Sequence, residues 1–366
     1  MRIASIILFL FLIIPAPLWA NITLVDKPTR KINLLMYAEA YYTYTTSNTS
    51  NSNSSFTPFV YNHAITKAPR LNLAFIKLNM EKKIFRSNLA FMYGTYARLN
   101  LSNEPKALRF IYEANIGFKL AKQKNIWLDL GVLPSHIGFE TAKGNDNFTL
   151  TRSIIAENSP YFETGISLNY QSTNKKLYLA ALVLNGWQKI KFTKGNLIPS
   201  LGIQIAYTFN DKISANYNNY IGINKVSQIK LGRFFQSAYV KFQEEKWGSI
   251  IGFDYGIEQK VMNSKQLYQW LGFSFILNYK PIRYISFAGR LEYYYDPHQV
   301  IVTFDMPQYF MKTSGLSLNV DVYAIKRVCW RNEVKWYQNQ SAIFYAPNIG
   351  NTKNNISFCS ALLFEL

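Results

Sequence analysis

Apolar and polar residues alternate along most of the chain from residue 33 onward, in segments of about ten residues. In segment 34–44 every even-numbered residue is apolar or aromatic, and Glu39 lies on the opposite face. A strand places successive side chains on opposite faces, so a period of two predicts strands that meet lipid on one face and water on the other. The pattern therefore predicts an all-β chain folded as a transmembrane antiparallel β-barrel.

The same alternation recurs further along the chain. It is clearest in segments 110–120, 126–132, 201–209, 249–257, 285–295 and 316–322. In segment 110–120 we predict that Phe110 and Tyr112 face outward and that Glu113 and Lys119 face inward, since charged side chains require a wet interior.

The connections between these segments alternate between two sizes. Short turns are predicted at 82–85, 122–125, 172–176, 210–212, 244–247, 280–283 and 326–327, and long loops at 46–70, 99–108, 134–160, 189–199, 223–233, 260–266, 296–312 and 339–354. Together they predict about sixteen strands. Outer-membrane barrels have short periplasmic turns and longer external loops, which would place both chain ends in the periplasm.

The N-terminus has the features of a secretory signal peptide. Arg2 precedes an apolar run at 6–14, and a small residue, Ala20, marks the cleavage junction. Residues 1–20 are therefore predicted to be removed, leaving a periplasmic segment at 21–32 and the barrel at 33–366. No apolar run of about 18 residues follows, which excludes a helical membrane protein, and the 26 Tyr and 26 Phe are typical of strands rather than of helices.

The last predicted strand supports export to the outer membrane. Ile356, Phe358, Leu362, Phe364 and Leu366 share one face, and this apolar ending resembles the signal read by the outer-membrane barrel assembly machinery. That signal usually ends in Phe, whereas this chain ends in Leu366. A closed barrel would pair this strand with the first one and leave no open edge in lipid.

One region of the sequence resembles a known family. The segments WLDLGVLPSHIGF at 127–139 and LTRSIIAENSPYFE at 150–163 are similar to the β-barrel porin family described as OmpL-like, found in Bacteroidetes and relatives. Stretches at 37–42, 94–96, 111–115 and 184–188 extend the resemblance over nearly the whole mature chain. The resemblance implies a pore in the outer membrane of a Gram-negative bacterium that passes small hydrophilic solutes, with no assigned substrate and no cofactor.

The loop at 134–160 is the expected constriction. In general porins the loop between the fifth and sixth strands folds inward, and by analogy we expect the same here, with a solvated external loop as the alternative. The charged residues of this loop are the predicted constriction residues: Glu140, Lys143, Asp146, Arg152 and Glu157.

A second set of charged residues has the parity of the inner wall. The predicted lumen-lining residues are Glu39, Lys77, Glu113, Lys119, Asp129, Glu163, Asp254, Glu258, Arg290, Glu292, Asp321, Arg331, Glu333 and Lys335. This wall carries both signs of charge. The net charge of +19 becomes +18 without Arg2, and most of the excess cations lie in turns and loops, where contact with outer-membrane lipid and lipopolysaccharide is a better explanation than nucleic acid binding or anion selectivity.

Two other function classes stay open. A barrel with a blocked lumen could act as an adhesin or structural protein, because periodicity describes only the wall. A rim-located hydrolase would need His63, His136 or His298 as its base, but Ser135 adjoins His136 in the chain, and adjacent side chains point apart. We therefore expect no enzyme activity and no metal site. A homotrimer, common among sixteen-stranded porins, is kept as a hypothesis.

Cys329 and Cys359 fall on the lumen face of the last two strands, which are neighbours. A disulfide between them is one expectation, subject to the register, because Cα atoms more than about 7 Å apart cannot be bridged.

Overall fold

The computed structural model describes residues 22–27, 29–49, 59–191, 198–226, 229–304, 308–346 and 348–366. The predicted signal peptide at 1–20 and its cleavage junction lie outside the described residues, as do residues 50–58 of the predicted 46–70 loop.

Within these described ranges, sixteen long strands make up the wall. In chain order they are β1 Arg30–Thr45, β2 Arg70–Lys82, β3 Phe85–Tyr93, β4 Ile111–Lys119, β5 Asn125–Pro134, β6 Phe162–Gln171, β7 Leu177–Leu184, β8 Ser200–Thr208, β9 Ile213–Val226, β10 Ile229–Gln243, β11 Trp247–Gln259, β12 Leu267–Ile282, β13 Ile285–Asp296, β14 Met311–Ile325, β15 Val328–Asn339 and β16 Asn354–Glu365. Each pairs antiparallel with its neighbours in the sequence, and β1 also pairs with β16, which closes the sheet. The predicted all-β barrel of about sixteen strands is confirmed.

The closure is made by main-chain hydrogen bonds at the chain end. The N–H of Leu366 donates to the carbonyl of Met36, and the N–H of Met36 donates to the carbonyl of Leu366, both at 2.8 Å. β16 pairs with β1 only from Tyr37 to Thr45. No edge is therefore left open along this part of β1.

A short additional strand, Ile22–Lys27, continues that edge by pairing with Arg30–Leu34 of β1. The segment predicted as a periplasmic N-terminal extension, 21–32, thus belongs in part to the sheet, and β1 begins at Arg30 rather than at residue 33.

The two-residue period decides which side chains face inward. In the second half of β1, Glu39, Tyr41 and Thr43 are buried inside the barrel, whereas Tyr42 and Tyr44 are exposed on the outside. The same pattern of exposed apolar and buried polar residues follows most strands, as expected for a wall between lipid and water.

Tyr112 departs from the predicted facing. The register between β3 and β4 shifts at Ala90 and Phe91, which pair with Glu113 and Ile111 and leave Tyr112 unpaired. A bulge of this kind re-aims a side chain, and the Tyr112 ring stacks on the inward-facing Phe75 with centroids 4.6 Å apart. The predicted outward orientation of Tyr112 is wrong.

The predicted long loop at 223–233 is also wrong. β9 extends to Val226 and β10 begins at Ile229, with Lys225 paired to Lys230 and Val226 to Ile229. Residues with high β-propensity, such as Ile223 and Ile229, continue both strands through most of the predicted loop.

The other connections carry short secondary structure. α1 spans Thr95–Asn100, α2 spans Ile154–Glu157, and 3-10 turns lie at Lys106–Leu108 and Gly144–Asp146. A small second sheet joins Asn48–Thr49, Phe344–Ala346 and Gly350–Thr352. Within the described ranges, no helix has the length and apolar character needed to cross a membrane.

Candidate functional site

The connection between β5 and β6 enters the barrel and crosses to the far wall. On the far side, three of its main-chain N–H groups donate to side chains of β13–β15: Leu150 to Asn319 of β14 at 3.0 Å, Thr151 to Glu333 of β15 at 2.6 Å and Ile154 to Glu292 of β13 at 2.7 Å. In return, Arg331 of β15 donates to the carbonyl of Gly144 at 2.7 Å. Residues 135–161, which we call the inner loop, are therefore fixed inside the lumen.

Glycines of the wall make space for the side chains of the inner loop. A Cβ atom would lie 2.7 Å from the His136 ring at Gly202, 2.2 Å from Phe139 at Gly252, 2.5 Å from Phe148 at Gly248 and 2.2 Å from Ile155 at Gly272. All four glycines have inward parity on β8, β11 and β12. Any larger residue at these positions would have to displace the loop side chain.

The root of the inner loop is held by His136. Its Nδ1 lies 2.6 Å from Oε2 of Glu163 on β6, and its Nε2 lies 2.7 Å from the carbonyl oxygen of Asn219 on β9. Both partners can accept hydrogen bonds, and the imidazolium form can donate to both of them at once. Burial lowers the pKa of His136, but the Glu163 carboxylate and the Asn219 carbonyl outweigh it and raise the pKa above its usual value. Ser135 instead accepts from the N–H of Ile137 at 3.0 Å, so Ser135 and His136 do not form a nucleophile–base pair.

Arg152 and Glu140 stabilise the inner loop from within. Arg152 is fully buried and donates to the carbonyls of Thr141 at 2.6 Å and Ala142 at 2.8 Å. Glu140 accepts from the N–H of Ser153 at 2.9 Å, and burial raises the pKa of its carboxyl. Arg152 was predicted to face the passage, and it instead holds the loop's own fold because its donors are used by loop carbonyls.

The remaining predicted constriction residues contact other parts of the chain. Lys143 contacts Asp146 at 3.0 Å and Glu365, next to the end of the chain, at 2.6 Å. Glu157 accepts from the N–H of Tyr61 at 2.8 Å, and burial raises the pKa of Glu157 to about 7. Glu157 therefore joins the inner loop to the segment at 59–66, which also folds into the barrel.

Most predicted lumen residues are buried inside the barrel and joined in ion pairs. The pairs are Lys77–Glu113, Arg233–Glu258, Arg290–Glu292, Arg290–Glu333 and Arg331–Asp321. In addition, the His63 ring contacts the Glu39 carboxylate, and Lys335 donates a hydrogen bond to Thr151. Two more acidic residues are paired: Asp129 with Arg86, and Glu163 with His136. Asp254 forms a hydrogen bond with Ser237. Lys119 is half-buried on the lumen face of β4.

These contacts divide the lumen into two unequal parts. The side lined by β11–β16 is filled by the inner loop and its ion pairs, whereas the side lined by β2–β8 keeps two cavities of about 430 and 490 Å³, the first with a mainly polar wall and the second with a mixed one. The two cavities share Glu113, Pro134, Ser135 and Gln204 in their walls. Glu140, Lys143 and Asp146 line the second of them, which we call the inner cavity; the first is called the lower cavity.

A third cavity opens at the long-loop end and is called here the vestibule. It has a volume of about 510 Å³, and its wall includes Glu157, Trp187, Lys189, Lys191 and Arg233. The Arg233 guanidinium lies 5.1 Å from the Trp187 ring centroid, in contact with its face. Burial and the neighbouring Arg233 charge lower the pKa of Lys189.

Two tyrosines separate the vestibule from the inner cavity. Tyr96 of α1 and Tyr161 of the inner loop meet edge to face with ring centroids 5.6 Å apart, and both line the inner cavity. The neighbouring residues Leu99, Leu101 and Glu157 line the vestibule. An aromatic contact therefore lies between the residues that line the two spaces.

Sequence reasoning missed Arg86, Trp187 and Arg233. Arg86 has the inward parity of Asn88 and Ala90 on β3, so the alternation could have identified it. Arg233 was placed in the loop predicted at 223–233, and that error concealed its inward facing. Trp187 lies in the connection after β7, for which periodicity gives no orientation.

The expected disulfide is not formed. Cys329 and Cys359 are both buried and free, because the register pairs Cys329 with Leu363 and Cys359 with Glu333. A four-residue offset along neighbouring strands separates the two thiols by roughly 13 Å, beyond the reach of a bridge. In the described part of the chain, no group of His, Cys, Asp and Glu is arranged to hold a metal ion.

The comparison with protein families gives one match. The model of the family described as "Putative beta-barrel porin-2, OmpL-like" matches residues 31–366. Among curated proteins, no relative matches this sequence.

Solved structures of similar fold include several channels. The outer membrane channel DcaP of Acinetobacter baumannii is 9% identical with a TM-score of 0.60, covering 93% of this chain and 99% of that chain. The anion-selective porin from Comamonas acidovorans is 10% identical with a TM-score of 0.60, covering 92% and 100%. Salmonella typhi OmpF, in a complex with daunomycin, is 10% identical with a TM-score of 0.57, covering 92% and 98%. At these identities the likeness concerns the fold.

Proposed function

Because the chain belongs to the OmpL-like family of beta-barrel porins, we propose that small hydrophilic solutes diffuse passively through it across the outer membrane. The observation that carries this proposal is the pair of adjoining cavities along β2–β8, beside the inner loop, both with charged side chains in their walls. The termini and short turns face the periplasm, and the vestibule faces the outside.

The passage runs from the vestibule, past Tyr96 and Tyr161, into the inner cavity and then along the wall formed by β2–β8. The inner loop narrows it, with Glu140, Lys143 and Asp146 at the inner cavity and Glu157 at the vestibule. Close apposition of acidic and basic side chains favours small polar solutes over apolar ones, because an apolar solute cannot replace the water that solvates those groups.

Selectivity between ions is expected to be weak. The wall of the lower cavity pairs Arg86 with Asp129, and Lys77 lies 2.5 Å from Glu113 at the inner cavity. In the vestibule, however, Lys189 and Lys191 have no ion pair among the described residues. These two cations would produce a mild preference for anions, and the Comamonas acidovorans porin of similar fold is itself described as anion-selective.

The test is the current through refolded protein in planar bilayers. The proposal predicts stepwise ohmic currents in the wild type, a larger conductance in Tyr161→Ala and no change in Tyr170→Ala, which alters an outward-facing tyrosine of β6. If Tyr161→Ala conducted and the wild type did not, the native lumen would be blocked.

The blocked barrel is the second candidate, and the Tyr96–Tyr161 contact is the observation that favours it. A structural or adhesive barrel would keep this layer shut and expose the vestibule as a binding surface. We also propose a homotrimer, because a related fold, OmpT of Vibrio cholerae, is described in a trimer form. Catalysis is not part of the proposal, since the porin family consists of channels.

A further inference from the structure

A surface depression lies on the outside of the barrel where β2, β3 and β4 end near the long loops. Its volume is about 640 Å³, and its wall includes four basic residues, Arg70, Arg98, Lys106 and Arg109, and two aromatic residues, Tyr93 and Phe110. We call it the basic depression. Its wall shares only Met92 with that of the inner cavity, and its basic residues line no part of the passage, so its role does not depend on conduction.

The charges of the basic depression are not compensated by the protein. No acidic residue lines it, and none of its four cations forms an ion pair among the residues that the structure describes. Like charges gathered without counter-charge repel one another. An anionic ligand would remove that cost.

Glu104, an acidic residue that contacts Arg109 through its main-chain carbonyl, has its carboxylate turned away from the cluster. The carboxylate of Glu104 accepts from the N–H groups of Ile190 at 2.8 Å and Lys191 at 3.0 Å, on the vestibule side. Arg109 donates instead to the main-chain carbonyls of Glu104 at 2.8 Å and Ser102 at 2.7 Å. Arg109 is thereby held in place while its charge stays unneutralised.

Local backbone geometry brings the basic residues together. At Gly94 the chain leaves β3 with φ +139°, and a Cβ there would lie 2.2 Å from the carbonyl oxygen of Asn72 on β2. Only glycine permits so close an approach. The turn directs α1, which carries Arg98, over the end of β2, where Arg70 begins the strand.

The depression also has an apolar side that faces lipid. Tyr93 is 77% exposed and Phe110 is 46% exposed, both on the outer face of the barrel. Aromatic side chains at such positions mark the boundary between hydrocarbon and headgroups. The four cations therefore lie at the depth of lipid headgroups, directly beyond the last outward aromatic residues.

We propose that the basic depression binds the phosphate groups of a phosphorylated glycolipid of the outer leaflet, with its acyl chains against Tyr93 and Phe110. Guanidinium groups suit phosphate because their N–H donors match its oxygens. The location at the long-loop end, which faces outward in the proposed orientation, selects the glycolipid over the phospholipids of the inner leaflet.

The probe is bisphosphorylated lipid A, titrated against refolded protein in neutral detergent and counted by native mass spectrometry. Removing two cations near a lipid headgroup in Arg98→Gln/Lys106→Gln should weaken binding about thirtyfold. The matched control, Lys175→Gln/Lys176→Gln, removes the same charge from a short turn at the other end and should bind like the wild type. Circular dichroism verifies that both variants are folded.

Two comparisons decide the ligand chemistry. Lipid A without phosphates should bind far more weakly, and phosphatidylglycerol should bind less tightly than lipid A because it offers a single phosphate. The proposal would be overturned if Arg98→Gln/Lys106→Gln bound lipid A with wild-type affinity, or if the control variant lost as much affinity. It would also be overturned if either comparison lipid bound the wild type as tightly as lipid A does.

Discussion

The imidazole of His136 and the carboxylate of Glu163 lie 2.6 Å apart at the root of the inner loop, joining it to β6. The ring also donates to the carbonyl of Asn219 on β9, three strands away, at 2.7 Å. One side chain thus connects the loop to two parts of the wall, and its protonation state determines how firmly it does so.

The docking of the inner loop should weaken as the pH rises. His136 has a pKa above its usual value in the folded state, so its stabilising contribution is complete below about 6.5, the pKa in the unfolded chain, and is lost as the pH passes the raised folded value. The protection factor of loop N–H groups such as Thr151, which corrects for the base-catalysed intrinsic exchange rate, should fall over that range. His136→Gln should show a low protection factor at all pH values, whereas His298→Gln, at an exposed position, should keep the wild-type profile. An unchanged profile in His136→Gln would show that the imidazolium does not hold the loop.

Wall glycines should be required wherever the inner loop packs on them. Gly252→Ala places a Cβ 2.2 Å from the ring of Phe139, and overpacking of this kind costs about 1–3 kcal/mol. We expect a lower free energy of unfolding and a larger, noisier conductance. Gly289→Ala is the control, because its Cβ would meet Leu318 at an ordinary 3.7 Å. Equal effects of the two substitutions would argue against specific docking.

Ion preference should change near neutral pH. Burial raises the pKa of Glu157 to about 7, so this carboxyl is neutral below that pH and adds a negative charge to the vestibule above it. The ratio of anion to cation permeability, measured from reversal potentials, should fall as the pH rises through 7. Glu157→Gln should abolish the change, and Asp146→Asn, which removes a carboxylate from the inner cavity, should leave its midpoint in place. If the permeability ratio of Glu157→Gln still changed with pH at the same midpoint, the titrating group would be another residue.

The two thiols should stay free and unreactive in the folded barrel. Cys329 is 1% exposed and Cys359 is 2% exposed. Maleimide labelling should modify neither before denaturation and both afterwards, without prior reduction. If labelling after denaturation required a reductant, the thiols would be bridged and the register between β15 and β16 would be wrong.

Periodicity predicted the wall well because lipid and water impose opposite requirements on its two faces. Glu39 and Glu333 could be assigned to the interior from parity alone, and the structure buries both. Parity fails where the register shifts, as at Tyr112, since an unpaired residue reverses the facing of its side chain. It also cannot give the offset between neighbouring strands, which is what keeps Cys329 and Cys359 apart.

The contents of the lumen were harder to predict than the wall. The position of the 134–160 loop suggested that it enters the barrel, but the sequence does not show which of its charges face the passage. The guanidinium of Arg152 donates its hydrogen bonds to carbonyls of its own loop. The vestibule residues Trp187 and Arg233 come from segments far apart in the chain. Such groupings depend on loop conformation, and no repeating pattern describes it.

The claim on which the account depends is an open aqueous path along β2–β8, beside the packed inner loop. Ser167→Cys places a thiol in the wall of the lower cavity, and Ser317→Cys places one in the packed half, where Ser317 is 1% exposed. The decisive measurement is single-channel current before and after addition of a charged, membrane-impermeant thiol reagent. The account predicts a stepwise fall in current for Ser167→Cys and no change for Ser317→Cys or the wild type. Current that is absent, or that is indifferent to the reagent in Ser167→Cys, would contradict it.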